Sequence, residues 1–253
     1  MAFPDDDLLA RDLAVEAGER LVKLRASGYS ADDLRRAGDL GSQEYLAAEL
    51  SRARPGDAVL SEEALDDRAR LAADRVWIID PLDGTREFGE EGRVDWAVHV
   101  ALWEHGELTA GAVALPAQAK VLCTAEPPPA PPAIAPDAPL RLVVSRSRPP
   151  EFVQRLAAEV GAELVPLGSA GAKSAAVITG DVDAYVHSGG QYEWDSAAPV
   201  AVARAAGLHT SRIDGSPLAY NSEQPYLPDI LICPVPLAGR LLAAIAVVRE
   251  RDE

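Results

Sequence analysis

An apolar segment that ends in two closely spaced aspartates is the feature that most constrains this chain. Residues Val76 to Ile79 are apolar and mostly β-branched, which predicts a buried strand. Pro81 cannot continue a central ladder, so we expect a turn there that presents Asp80 and Asp83 together at the strand end. A simple Asp-Gly turn that closes a strand is the alternative interpretation.

The oxygen atoms of this predicted turn are of the kind that binds a hard divalent cation. Asp80, the Leu82 carbonyl and Asp83 would lie on one short turn, and Gly84 and Thr85 follow directly. Mg²⁺ is bound in proteins through a few carboxylates together with substrate phosphate. The turn therefore predicts a magnesium site.

Two further acidic positions favour a metal site over a simple turn. Residues 59–61 predict a short strand that leads into Glu62 and Glu63. Asp195 opens an alanine-rich helix, where the positive end of the helix dipole favours an ionised carboxylate. Taken singly, the glutamates would be a solvated pair and Asp195 a helix cap. Taken together with the aspartate turn, they predict one metal-binding cluster.

These three motifs resemble the signature of the inositol monophosphatase superfamily. The matching segments are Glu62–Glu63, Asp80–Thr85 and Trp194–Ala198. Within the superfamily the chain is most similar to the CysQ group, the 3′(2′),5′-bisphosphate nucleotidases, in its actinobacterial form. Two later segments, Val144–Arg148 and Gly168–Lys173, resemble substrate-side stretches of that group, with Arg148 in place of a histidine and Ala170 to Ala172 differing in the middle.

The resemblance implies a fold and a class of reaction. The fold is α/β (α+β), a layered α-β-α-β-α sandwich of the inositol monophosphatase and fructose bisphosphatase type. The enzymes of this superfamily are Mg²⁺-dependent, lithium-sensitive phosphomonoesterases, with two or three Mg²⁺ ions in each active site. Homodimers are common among them, so we expect a homodimer here.

The resemblance also implies roles for individual residues. The implied metal ligands are Glu62, Asp80, the Leu82 carbonyl, Asp83 and Asp195. The implied catalytic residues are Thr85, which takes the proton of the attacking water, Asp39, which is hydrogen-bonded to Thr85, and Glu62. A helix N-cap is the alternative role for Asp39. The implied substrate-binding residues are Asp83, Gly84, Thr85, Ser145, Gly168, Ser169, Lys173 and Asp195.

The implied reaction is the hydrolysis of the 3′-phosphate of adenosine 3′,5′-bisphosphate (PAP) by metal-activated water, which gives AMP and phosphate. The sulfated compound 3′-phosphoadenosine 5′-phosphosulfate (PAPS) is a second candidate substrate, and both link the enzyme to sulfur assimilation. An inositol-1-phosphatase or fructose-1,6-bisphosphatase of broad specificity is the leading alternative. A non-catalytic regulatory binding protein is a further alternative from a different class.

Composition and charge limit the partners and the compartment. The net charge of −16 argues against nucleic acid or an anionic membrane as a partner, because both attract basic surfaces. Lys173, Arg146 and Arg148 are the candidates for the positive charge that a bisphosphate requires.

The cysteines and the start of the chain predict the compartment. Cys123 and Cys233 are expected on separate strands as buried free thiols, and the chain starts with acidic residues; together these features predict a cytoplasmic protein. None of the four histidines has a metal-motif spacing, and we interpret them as structural.

The order of predicted elements divides the chain of 253 residues in two. Residues 1–125 form an α+β half with most of the metal ligands, 126–139 a Pro-rich connector, and 140–253 an α/β half with Asp195 and the substrate side. The first half is expected to hold helices over 8–25 and 41–52 and an antiparallel meander from 96 to 124. In the second half, strands and helices alternate, which indicates a sheet covered by helices on both faces.

Overall fold

The computed structural model describes residues 5–135 and 138–251. The first half of the chain contains a five-stranded sheet in the order β1-β2-β3-β4-β5. Only β1 and β2 are parallel, and β3 to β5 form the predicted antiparallel meander. The elements are α1 (Asp6–Arg25), α2 (Ala31–Ala53), β1 (Ala58–Ser61), a 3₁₀ turn (Arg68–Ala72), β2 (Arg75–Asp83), α3 (Thr85–Gly89), β3 (Ala97–Glu104), β4 (Glu107–Leu115), a second 3₁₀ turn (Pro116–Gln118) and β5 (Lys120–Cys123).

The second half contains a mixed five-stranded sheet in the order β7-β6-β8-β10-β9. Strand β6 is parallel to β7 and β8, and β10 is antiparallel to β8 and β9. The elements are β6 (Arg141–Ser145), α4 (Glu151–Val160), β7 (Glu163–Leu167), α5 (Ala170–Ile178), β8 (Ala184–Tyr192), α6 (Glu193–Ala205), β9 (Leu208–Ser211), β10 (Tyr226–Pro234) and α7 (Val235–Glu250).

The two sheets and the helices stack in five layers, because every sheet face is apolar and must be covered. Helix α1 places Leu9, Leu13 and Leu21 on the outer face of the first sheet. Helices α5 and α6 lie between the sheets, where their side chains join one continuous core with residues of both. Helices α4 and α7 cover the outer face of the second sheet. The prediction of an α-β-α-β-α sandwich is confirmed.

The second helix is longer than the sequence predicted, which changes the interpretation of Asp39. Helix α2 begins at Ala31 instead of residue 41, and the Ser30 hydroxyl accepts a hydrogen bond from the Asp33 amide at its start. Gly38 and Gly41 interrupt the apolar spacing of this helix, and that is why its first turns were missed. Asp39 therefore lies in the middle of α2, and the alternative of an N-cap was wrong.

Strand β2 also runs further than predicted, because Pro81 does not end it. The ladder between β2 and β3 shifts its register between Asp80 and Asp83, so Pro81 falls in a bulge where no ladder N–H is needed. The Pro81 carbonyl accepts a hydrogen bond of 2.7 Å from the Ser42 hydroxyl of α2. The bulge presents both aspartates at the end of the strand, as the predicted turn would have done.

The Pro-rich connector separates the two sheets in the chain. Residues 127–135 form no helix or strand, and positions 136 and 137 lie outside the described residues. The division into an α+β half (1–125), a connector (126–139) and an α/β half (140–253) stays a prediction. Cys123 on β5 and Cys233 on β10 are free and buried, as expected. Within the described ranges, no helix is both long and apolar enough to cross a membrane.

Candidate active site

Three aspartates from distant parts of the sequence meet at one point. Asp80 and Asp83 lie at the end of β2 and Asp195 lies in the first turn of α6, and one carboxylate oxygen of each is within 4.8 Å of the others. Asp80 and Asp83 are buried, at 1% and 6% exposure. Buried like charges at such short range repel each other strongly unless a cation lies between them.

The donor set fits a hard divalent cation. Oδ2 of Asp80 is buried and has no hydrogen-bond partner in the described part of the chain, whereas Oδ1 accepts a hydrogen bond of 3.0 Å from the Leu82 amide. An orphaned buried carboxylate oxygen is costly in a folded protein. Burial first, and then the charges of Glu62 and Asp83, hold the pKa of Asp80 well above its usual value. A bound cation would remove this penalty.

Asp83 is held by the start of α5. Its carboxylate accepts hydrogen bonds from the Ser169 hydroxyl, the Ala170 amide at 3.1 Å and the Gly171 amide at 2.6 Å. Burial opposes its ionisation, but His99 and Ser169 outweigh burial and lower its pKa to about 2. The surroundings of Asp83 therefore favour its ionised form, and α5 holds its carboxylate in place.

His99 joins two parts of the site, and the sequence did not predict this. Its Nδ1 lies 3.0 Å from the Trp194 carbonyl oxygen, and its Nε2 lies 3.3 Å from Oδ2 of Asp83. A Cβ at Gly171 would lie 2.1 Å from that Nε2, so only glycine allows α5 to approach. His99 is fully buried between Ala97 and Ala101 of β3, and a polar residue in such an apolar strand was the available signal.

Glu62 and Asp195 complete the acidic cluster. Partial burial of its carboxylate and the negative charges of Asp195 and Asp83 raise the pKa of Glu62 to about 7, although the residue as a whole is exposed at the end of β1. Burial and the charge of Asp83 raise the pKa of Asp195 to about 6. Asp195 also accepts a hydrogen bond of 2.6 Å from the Tyr192 amide, so it caps α6 as well. Both carboxylates bind protons that a cation would displace.

A hydroxyl and a carboxylate lie next to this cluster. Thr85 Oγ1 is 3.2 Å from Oδ1 of Asp39 and 3.1 Å from the Leu82 carbonyl oxygen. Burial, followed by the charge of Glu63, raises the pKa of Asp39 to about 6. The structure therefore brings the predicted pair together, and the Leu82 carbonyl with it.

A cavity of about 380 Å³ opens beside the carboxylates. Of the predicted site residues, it is lined by Glu62, Asp83, Gly84, Ser145, Ser169, Lys173 and Asp195. The Lys173 side chain is buried, and burial lowers its pKa although Asp83 and Asp195 act in the opposite direction. Four tyrosine and tryptophan residues line the cavity as well, namely Tyr185, which is buried, and Tyr192, Trp194 and Tyr226.

Two other residues that were predicted on the substrate side, Gly168 and Arg146, already have partners within the protein. The Gly168 amide donates a hydrogen bond of 2.6 Å to Oδ2 of Asp95, so its backbone already has a partner. Arg146 forms ion pairs with Glu87 at 2.8 Å and with Glu90 at 2.9 Å. Arg146 is therefore neutralised by its own neighbours, and Lys173 is the predicted cation that lines the cavity.

Known proteins are similar to this chain over nearly its whole length. The sequence profile of the inositol monophosphatase family matches residues 8–246. A relative from Mycobacterium leprae, named 3′-phosphoadenosine 5′-phosphate phosphatase, is 51% identical over 96% of this chain and 94% of its own length. A relative of the same name from Mycobacterium bovis is 53% identical over 91% of this chain and 90% of its own.

Solved structures agree with the fold. The crystal structure of CysQ from Bacteroides thetaiotaomicron superposes with a TM-score of 0.79 at 28% identity, over 92% of this chain and 98% of that one. The Mycobacterium tuberculosis SuhB structure superposes with a TM-score of 0.75 at 25% identity, over 96% of both chains. The expectation of an enzyme is confirmed, and a purely regulatory binding protein is disfavoured. The chain belongs to the inositol monophosphatase family.

Proposed function

We propose that this chain is a Mg²⁺-dependent 3′(2′),5′-bisphosphate nucleotidase that hydrolyses the 3′-phosphate of PAP to give AMP and phosphate. The observation that carries the proposal is the convergence of Asp80, Asp83 and Asp195 beside the Asp39–Thr85 pair. The substrate is favoured by the name of the relatives that share about half of the sequence.

The acidic residues would hold the metal ions. The proposed ligands are Glu62, Asp80, the Leu82 carbonyl, Asp83 and Asp195, for two or three Mg²⁺ ions. When bound, Mg²⁺ lowers the pKa of a water molecule and neutralises charge on the phosphate and the leaving oxygen. Oδ2 of Asp80 supports this set, because it is a buried carboxylate oxygen without another partner in the described residues.

Asp39 and Thr85 would remove the proton from the attacking water. Thr85 Oγ1 accepts that proton while its own proton passes to Oδ1 of Asp39, 3.2 Å away. A general base works best when its pKa lies near the working pH. The pKa of Asp39, raised to about 6 mainly by burial, meets this requirement better than that of an ordinary aspartate.

The remaining predicted residues would orient the substrate. The backbone amides of Gly84 and Thr85 follow the bulge of β2 and would donate to phosphate oxygens, as successive N–H groups in a turn commonly do. Lys173 would pair with a substrate phosphate, since it lines the cavity near Asp83 and Asp195. Ser145 and Ser169 line the same cavity and would hold polar groups of the substrate.

Product analysis tests the proposal. With Mg²⁺, the protein should convert PAP to 5′-AMP and one equivalent of phosphate, and PAPS to adenosine 5′-phosphosulfate. Release of the 5′-phosphate instead, or no release at all, would contradict it. Inhibition by lithium at millimolar levels is expected from a cation that competes for a Mg²⁺ ligand set. A role in sulfur assimilation, a cytoplasmic location and a homodimer belong to the same proposal.

A further inference from the structure

Part of the cavity wall is an aromatic cluster of Tyr192, Trp194 and Tyr226, next to Asp195. Tyr192 and Tyr226 are direct partners in the ladder between β8 and β10, so both side chains lie on the same face of the sheet. They are 47% and 51% exposed, although each is large and mostly apolar. Both line the cavity that also holds Glu62 and Asp195.

The rings of this aromatic cluster pack against one another. The ring of Tyr192 stacks on Trp194 with centroids 4.7 Å apart and planes 8° from parallel. Tyr226 meets Tyr192 edge to face, with centroids 6.0 Å apart and planes at 82°. Such pairs are attractive beyond the area they bury. These contacts favour the observed ring orientations and leave about half of each tyrosine exposed.

A glycine makes room for Tyr226. A Cβ at Gly190 would lie 1.9 Å from the Tyr226 hydroxyl oxygen, and Gly190 has a φ of +88°, where glycine is favoured. The backbone of β8 therefore lets the Tyr226 ring lie directly across it. Tyr226 therefore lies half exposed at the cavity.

We propose that Tyr226 and Tyr192 form a stacking surface for the base of a nucleotide, substrate or product, that is bound in the cavity beside the carboxylate cluster. This inference rests on the proposed function and names the residues that select its substrate. A purine presents a flat π surface that stacks on aromatic side chains. Inositol and fructose phosphates have no such surface, so the platform discriminates nucleotides from the substrates of the broad-specificity alternative.

Equilibrium binding of two ligands that differ only in the base tests the platform without turnover. With Mg²⁺ present, calorimetry should show that the wild-type protein binds AMP more tightly than ribose 5-phosphate, by about fivefold to a hundredfold. Tyr226→Leu should lose most of this preference, and Tyr226→Phe should keep it. Tyr29→Leu is the matched control, because Tyr29 is 55% exposed and precedes α2, outside the cavity.

Two results would overturn the inference. One is equal binding of AMP and ribose 5-phosphate by the wild-type protein, and the other is an unchanged preference in Tyr226→Leu. Thermal unfolding of each variant separates loss of the platform from loss of the fold.

A second variant, Tyr192→Leu, keeps the backbone amide that donates to Asp195. This variant should also lower the ratio between kcat/KM for PAP and kcat/KM for inositol-1-phosphate. The proposed function fails on a different result, the absence of Mg²⁺-dependent PAP hydrolysis by the wild-type protein.

Discussion

Thr85 Oγ1 lies 3.2 Å from Oδ1 of Asp39, so one hydrogen bond joins the middle of α2 to the first residue after the β2 bulge and Gly84. The same hydroxyl is 3.1 Å from the carbonyl oxygen of Leu82. The Thr85 hydroxyl therefore lies within hydrogen-bond distance of both the proposed proton acceptor, Asp39, and a proposed metal ligand, the Leu82 carbonyl oxygen. Proton transfer and metal binding can be separated experimentally because they depend on different side chains.

Removal of the proposed base should reduce turnover without weakening metal binding. Asp39→Asn keeps the size of the side chain but cannot accept the proton, and we expect kcat to fall by about 10²-fold or more. The rise in melting temperature caused by Mg²⁺ should persist. Asp32→Asn, on the exposed start of the same helix, is the control and should retain activity. Full activity in Asp39→Asn would remove Asp39 from the mechanism.

Asp80→Asn should abolish both metal binding and turnover. Its Oδ2 is the buried oxygen without another partner in the described residues, and an amide cannot supply the same negative ligand. We expect kcat to fall by several orders of magnitude and the Mg²⁺-dependent rise in melting temperature to disappear. The exposed Asp74→Asn serves as a comparison that should change neither quantity. An Asp80→Asn protein that still turns over substrate normally would refute the metal site.

The metal-free protein should become less stable as the pH rises. The pKa of Glu62 is raised to about 7 from 4.5, and that of Asp195 to about 6 from 3.8, by burial and neighbouring carboxylates. Over that interval the folded protein binds more protons than the unfolded chain, so the free energy of unfolding falls with rising pH. Without metal, the melting temperature should therefore be lower at about pH 8 than at about pH 5.5.

Mg²⁺ should remove most of this pH dependence, because it replaces the protons on the same carboxylates. Glu62→Gln should flatten the slope in the metal-free protein, since a neutral side chain does not titrate. Thermal unfolding at a series of pH values with and without Mg²⁺ measures both effects. A slope that is the same in Glu62→Gln and in the wild-type protein would show that other groups cause it.

Gly171→Ala should destabilise the site from within the fold. The new methyl group would lie 2.1 Å from His99 Nε2 and 3.1 Å from Oδ2 of Asp83. We expect the free energy of unfolding to fall by about 1–3 kcal/mol, as for other overpacked cores. Gly239→Ala in α7 is the matched control, because nothing lies within 4 Å of its Cβ, and helix propensity should stabilise that variant by up to about 1 kcal/mol. Denaturant unfolding of both variants and of the wild-type protein measures these changes in the free energy of unfolding. An unchanged free energy of unfolding in Gly171→Ala would contradict the close contact with His99.

The sequence predicted correctly those elements whose periodicity or capping residues lie within a short segment of the chain. The strand before Asp80, the meander from β3 to β5 and the start of α6 at Asp195 all show their periodicity or caps within a few residues. The five-layer fold and the residues that meet at the metal site came from the resemblance of three short motifs. Their spatial convergence depends on the packing of both sheets, which no single segment encodes.

The contacts that were missed are those between segments far apart in the chain. The sequence favours Arg146 as a cation that is free to bind substrate, but Glu87 and Glu90 from the first half of the chain form ion pairs with it. His99 is an ordinary strand residue until α5 and the Trp194 carbonyl reach it. Pro81 ends an isolated strand, but a bulge accommodates it in the sheet. In each case tertiary packing overrides a local preference.

The most direct test of the account compares kcat/KM for Mg²⁺-dependent phosphate release from PAP, inositol-1-phosphate and fructose-1,6-bisphosphate. We predict a preference for PAP of about a hundredfold or more, which corresponds to about 3 kcal/mol of differential transition-state binding. Comparable values for the three substrates would contradict the account and identify a broad-specificity phosphomonoesterase.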